Sequence, residues 1–174
     1  MASSTPTASE SAPPIQPRRE TLDSIAAQIA AIDELIGLAR SSIRVFDIDL
    51  SQMGWTAVRR AERLDAFLRA SRHARLDIIV HDTRYYESAC ARLQLLQRRF
   101  GATVNILRTG AEARGAMDPL VLVDDRHYLH RFHIDQRRAT LGVEEPRGAA
   151  PLVNRFDEIW ATGEPGVAGT VLGL

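Results

Sequence analysis

The sequence predicts an α/β domain with a mixed sheet, parallel in its first half and antiparallel in its second, with helices on both faces. Two patterns carry that expectation. Amphipathic stretches alternate with short apolar runs from residue 21 to residue 107, and three extended segments then follow with no helix between them. A length of 174 residues suits one domain with a real core. The 45% hydrophobic and 25% charged residues match an ordinary globular chain.

Residues 1–19 are mostly Ser, Thr, Ala and Pro, with little apolar surface to offset the entropy of ordering them, so they read as a flexible leader. Leu22, Ile25, Ile29, Ile32, Ile36 and Ala39 then alternate in steps of three and four, one stripe of an amphipathic helix. The segment from Ile43 to Leu50 reads as a strand whose acids, Asp47 and Asp49, share a face. Val58, Ala61, Leu64 and Leu68 mark a second helix, and Leu76 to Val80 a second strand that stops at His81 and Asp82. A third helix carries Tyr86, Cys90, Leu93, Leu96 and Phe100 and ends at Gly101, which tolerates the left-handed conformation of a helix stop. Thr103 to Leu107 gives a third strand.

Strands and helices alternating this way form parallel sheets with right-handed crossovers, and ligands bind beyond the carboxyl ends of such strands. That rule places Asp47, Asp49, His81, Asp82 and Arg108 on one rim. After the loop over residues 109–117, the segments Pro119 to Val123, His127 to His133 and Ala139 to Val143 read as antiparallel strands. Pro151 is the expected start of a last helix carrying Val153, Phe156, Ile159 and Trp160. The domain is therefore expected over residues 20–165, with a tail over 166–174.

All 22 basic residues are arginine. Without lysine, a Schiff base, a P-loop and a Ser-Lys dyad are excluded. The net charge of +0 supplies no global field toward nucleic acid or an anionic membrane. One cysteine, Cys90, excludes an internal disulfide and a cysteine-rich zinc site, which fits a reducing, cytoplasmic setting. No stretch approaches a membrane span, and the Arg18-Arg19 pair is followed by Glu20 and Asp23 rather than by the apolar centre of a signal.

The stretch MDPLVLVDDRHYLHRF, residues 117–132, resembles the core of the phospholipase D-like superfamily, whose H-x-K-x-x-x-x-D strand ends in an Asp-Asp turn before a second strand. The order of elements and the Phe156 and Trp160 pair in the closing helix are similar as well. The resemblance implies a three-layer sandwich. In that family a histidine attacks phosphorus, a second histidine acts as general acid, and lysines stabilise the phosphoryl charge. Here the nucleophile's position falls on Met117 and the lysine's on Pro119, while Asp124 retains the aspartate. The family's glycine, serine and asparagine fall on Arg131, Phe132 and Ile134. Methionine cannot attack phosphorus, and no lysine exists to replace the missing one. The resemblance thus implies a degenerate member without phosphodiesterase activity, acting as a ligand-binding or protein-interaction module.

Asp47, Asp49, His81, Arg108, His130 and Arg131 are the candidate ligand-binding residues of that module, with no cofactor and no metal. His127 and His133 should point to one face of their strand and His130 to the other, so the three do not converge on an ion. The expected partners are a second copy of the chain, an unidentified protein or a small anionic ligand. Neither a membrane nor nucleic acid is expected. The alternative is a magnesium-dependent phosphatase of the haloacid-dehalogenase type, which VFDIDLS resembles. Asp47 would be its nucleophile and Asp49 its acid/base, Asp124 and Asp125 would supply metal carboxylates, and Arg84 would stand for the usual basic residue.

Overall fold

The computed structural model describes residues 13–166. The leader over 1–12 and the tail from 167 lie outside them. Eight strands form one sheet in the order β1-β7-β6-β5-β2-β3-β4-β8. They are β1 (Arg18–Leu22), β2 (Ser42–Asp47), β3 (Arg75–Val80), β4 (Val104–Arg108), β5 (Leu120–Val123), β6 (His127–Arg131), β7 (Ala139–Val143) and β8 (Glu164–Pro165). β2, β3 and β4 are parallel, and every other pairing is antiparallel. The helices are α1 (Ile25–Leu38), α2 (Val58–Ala70), α3 (Arg84–Ala89), α4 (Ala91–Phe100) and α5 (Pro146–Ala161).

The expected mixed sheet follows from side chains alternating along each strand. In β2, Val45 joins a core layer with Ile32, Leu35, Leu64 and Leu93 under α1, α2 and α4. Its neighbour Phe46 points the other way, into a layer with Leu122, Tyr128, Phe156 and Ile159 under α5. Phe156 and Trp160 stack at 5.5 Å between ring centres. In β7, Gly142 lies opposite Tyr128, and a side chain there would run into the Tyr128 ring.

Local chemistry sets several boundaries. Ser24 caps α1 by accepting a 3.1 Å hydrogen bond from the Ala27 amide. Gly101 ends α4 at φ 54°, a region that disfavours residues with a Cβ.

The structure differs from the sequence reading at several places: Leu22 lies in β1 and not in α1, β2 ends at Asp47 so that Asp49 lies beyond the strand and shares no strand face with it, and β8 adds a short edge strand after α5. Arg18 and Arg19, read as leader, belong to β1, which pairs with β7 along its whole length. Exposed and polar, this edge strand is held by main-chain bonding and ion pairs such as Arg19 with Glu145, so hydrophobic periodicity gives no sign of it. The third helix is broken into α3 and α4 at Cys90, whose ψ of 48° leaves the helical region. Finally, α5 starts at Pro146, so Pro151 lies inside it. Proline fixes φ wherever it stands, and Pro146 takes the first-turn place expected of Pro151.

Candidate functional site

The carboxyl ends of β2, β3 and β4 form a rim, joined by the start of β5 and the end of β6 because those two strands run against and along β2 respectively. Asp47 ends β2 and is 4% exposed. Its Oδ1 accepts a 2.7 Å bond from the Ile48 amide. Burial, the largest influence, pushes its pKa up from 3.8 to about 6. Arg131, at the end of β6, is also buried, and its charge acts to lower the Asp47 pKa against the larger effect of burial. Its guanidinium donates to the Gln136 and Ile134 carbonyls and, at 2.8 Å, to Gln52 Oε1. Asp47 and Arg131 line a cavity of about 20 Å³ with Gln28, Met53 and Trp55. That space holds about one water and no larger ligand.

His81 follows β3 and is fully engaged. Its Nε2 lies 2.6 Å from the Ala116 carbonyl, which can only accept, so Nε2 carries the proton. Nδ1 then accepts from the Thr109 hydroxyl at 2.6 Å. The ring has neither a free lone pair nor a free proton. Asp49 accepts from both the amide and the hydroxyl of Ser51, Asp82 pairs with Arg84, and Arg108 pairs with Glu164 at 3.0 Å. The bond from Arg84 holds the Asp82 carboxyl down at about 2.

Met117 and Pro119 stand at the mouth of β5 and contribute backbone: the Met117 carbonyl accepts from the Ile134 amide at 2.7 Å and the Pro119 carbonyl from the Arg131 amide at 2.9 Å. Between them lies Asp118, which the sequence reading missed. It accepts from Arg155 of α5 at 2.8 Å and faces His130 Nε2 at 3.2 Å. Burial alone would raise its pKa, and the bonds from His130 and Arg155 override this and hold it at about 2. His130 also meets the Phe132 ring edge-on at 5.7 Å. Asp118 and Arg155 are 37 residues apart and join only when α5 packs on the sheet, so no local spacing announces the pair.

His127 is buried with Nδ1 accepting from the Glu144 amide, and His133 lies beyond β6 beside Asp135. Among the described residues no group of three or more His, Cys, Asp or Glu side chains is placed to hold a metal.

Asp124 lies at the other end of β5. Its carboxylate accepts from the amides of Arg40, Ser41 and Ser42, each at 2.8 Å, and from the Ser41 hydroxyl at 2.9 Å. This ties the β5–β6 turn to the start of β2. Burial works against the ionised form, and the amide bonds outweigh it to lower the pKa. Both Asp124 and Asp125 have positive φ, as the tight turn requires. The magnesium arrangement of the phosphatase alternative is therefore not found. Asp124 sits beside Ser42 and Asp47 ends the same strand, five residues on and about 17 Å away. No single cation can bridge them, and Arg84 is committed to Asp82.

The fold is that of the phospholipase D family. Nuc from Salmonella typhimurium, a phospholipase D family member, is 16% identical with a TM-score of 0.60, covering 86% of this chain and 97% of its own. NucT from Helicobacter pylori is 12% identical with a TM-score of 0.59, covering 86% and 99%. TrmBL2, an archaeal chromatin protein with a novel mode of DNA binding, is 13% identical with a TM-score of 0.66. The match covers 90% of this chain but only 56% of TrmBL2. No curated protein sequence matches.

TrmBL2 corrects one expectation. Nucleic acid was set aside because the chain is neutral, yet this fold occurs in a protein that binds DNA. A net charge is a sum over the whole chain and does not describe any one face. Among the described residues no helix is long and apolar enough to cross a membrane. One family model, Domain of unknown function (DUF7931), matches residues 24–168, a span that takes in everything from the cap of α1 to the end of the sheet, and the chain belongs to that family.

Proposed function

We propose that the chain is a catalytically degenerate phospholipase D-like domain that works as a binding module and does not hydrolyse phosphodiesters. The observation that carries this is the mouth of β5. Where the phospholipase D-like pattern has its nucleophile and its phosphate-gripping lysine, this chain has Met117 and Pro119, whose carbonyls hold the Ile134 and Arg131 amides. The surrounding rim supports the same reading. His81 has both ring nitrogens occupied, and Arg131 spends its guanidinium on the 134–136 loop and Gln52. With no lysine in the chain, no second copy could supply one.

The module function rests on rim groups that remain accessible, His130 and Arg155 around Asp118. The test is turnover of a generic phosphodiester by the full chain, in EDTA and in magnesium, beside the His130→Ala variant. No turnover above buffer is expected. Metal-independent turnover lost in His130→Ala would overturn the proposal by placing the chemistry on the rim's remaining histidine.

A further inference from the structure

The zero net charge is made of two opposite parts. Residues 57–103 contain ten arginines and five acids, and the rest of the chain contains twelve arginines and seventeen acids. The basic part includes α2 and α4, which pack against each other on one side of the sheet, so its charge is gathered on one surface. Arg59, Arg63, Arg69, Arg92, Arg98 and Arg99 are exposed on these two helices, and Glu62 and Asp65 are the acids among them. Asp65 pairs with Arg69 at 2.6 Å and accepts a hydrogen bond from Arg99 at 2.9 Å, which links the helices and leaves one carboxylate between two guanidiniums. Among the described residues, Arg59, Arg63, Arg92 and Arg98 have no carboxylate at ion-pair distance; Arg63 and Arg92 reach only the Asp33 and Thr56 carbonyls.

A groove of about 330 Å³ runs between the helices, lined by Arg92 and Arg99, by the acids Glu62 and Asp65, and by the exposed apolar side chains of Val58 and Leu95. The 13 residues of α2 extend about 20 Å, the length over which one strand of a duplex presents about six phosphates. Guanidinium forks match phosphate oxygens, and the exposed Val58 and Leu95 side chains suit the sugars between them.

We infer that the outer face of α2 and α4 is a docking surface for the phosphodiester backbone of a nucleic-acid duplex. This goes beyond the reading of the rim, because none of these arginines belongs to the rim and docking requires no chemistry there. Recognition is of charge and spacing, not of base sequence.

The experiment is fluorescence anisotropy of a labelled 20-base-pair DNA duplex with the full chain. Binding is expected at 50 mM salt, weakening about 100-fold at 200 mM if about four phosphates are neutralised. The double variant Arg59→Glu with Arg98→Glu, with circular dichroism unchanged, is expected to lose at least about tenfold in affinity. Arg59→Gln with Arg98→Gln, which adds no repulsion, is expected to lose less and serves if the first variant misfolds. No binding at 50 mM, or binding that neither variant weakens, overturns the inference. So does equally tight binding of poly-glutamate of matched charge, which would make the face a site for acidic polypeptide. Cleavage of the duplex during the assay would overturn the non-catalytic reading of the rim and leave the docking face standing.

Discussion

The two ends of β5 make the most informative comparison in the molecule. At its start, Met117 and Pro119 take, on the match to the phospholipase D-like pattern proposed above, the places of its reactive histidine and lysine. At its end, Asp124, which takes the aspartate's place on the same proposed match, accepts bonds from the amides of Arg40, Ser41 and Ser42 and from the Ser41 hydroxyl. The start offers carbonyls to a neighbouring loop and no reactive side chain, whereas the end gathers three backbone amides onto one carboxylate. The difference teaches that one motif holds two separable jobs. On that match the residues for phosphoryl chemistry are dispensable to the fold, whereas removing a carboxylate that gathers main-chain donors takes a partner from each of them.

The sharpest way to break this comparison is Asp124→Ala, which strands those amides and is expected to destabilise the domain by about 3 kcal/mol in chemical denaturation. A loss under about 1 kcal/mol would mean that the turn holds itself. Next is Asp47→Asn on the rim. The folded pKa of Asp47, about 6, lies above its ordinary 3.8, so the folded state keeps a proton that the unfolded chain releases. Wild-type stability should therefore fall as pH rises from about 4 to about 6, and then stay level. Asparagine keeps the bond from the Ile48 amide and removes the buried charge. The variant should match wild type near pH 4 and exceed it by about 2 kcal/mol at pH 7.5. An identical pH profile in both proteins would show that Asp47 is better solvated than its burial implies.

Arg155→Ala has a smaller expected effect, about 1 kcal/mol at pH 7 once solvent screening is allowed for. Asp118, held at about 2, contributes stability above its ordinary 3.8 that is lost as pH falls toward 2. In the variant that acid dependence should shrink, as read by thermal melts at pH 2.5 and pH 5. The smallest stability effect is expected from Met117→Leu, below about 1 kcal/mol. The double variant Met117→His with Pro119→Lys should leave diester turnover at background, because Arg131, Phe132 and Ile134 still occupy the other half of the motif. Restored turnover would show that only those two residues separate this rim from an active one.

Much of the fold was legible because it rests on local repetition. The steps of three and four in α1, the apolar run of β3 and the strands β5, β6 and β7 could be read from the order of side chains. β1 could not, because its polar residues bury almost nothing and its register comes from β7. The break at Cys90 was hidden because the apolar spacing continues across it from Tyr86 to Leu93. The rim was legible in part. Asp47, His81 and Arg108 were placed there by the rule for parallel strands, but their availability was not. The charge division was present in the sequence and was masked by adding the whole chain together.

Sequence by itself determined the class of fold and the absence of lysine chemistry, since each depends on which residues exist and at what spacing. Tertiary structure alone decided that His81 and Arg131 are spent on their neighbours, that Asp118 meets Arg155 and His130, and that the arginines of α2 and α4 share a face. These depend on which atoms come within about 3 Å of one another, the range of a hydrogen bond, and only the packing of distant segments sets that.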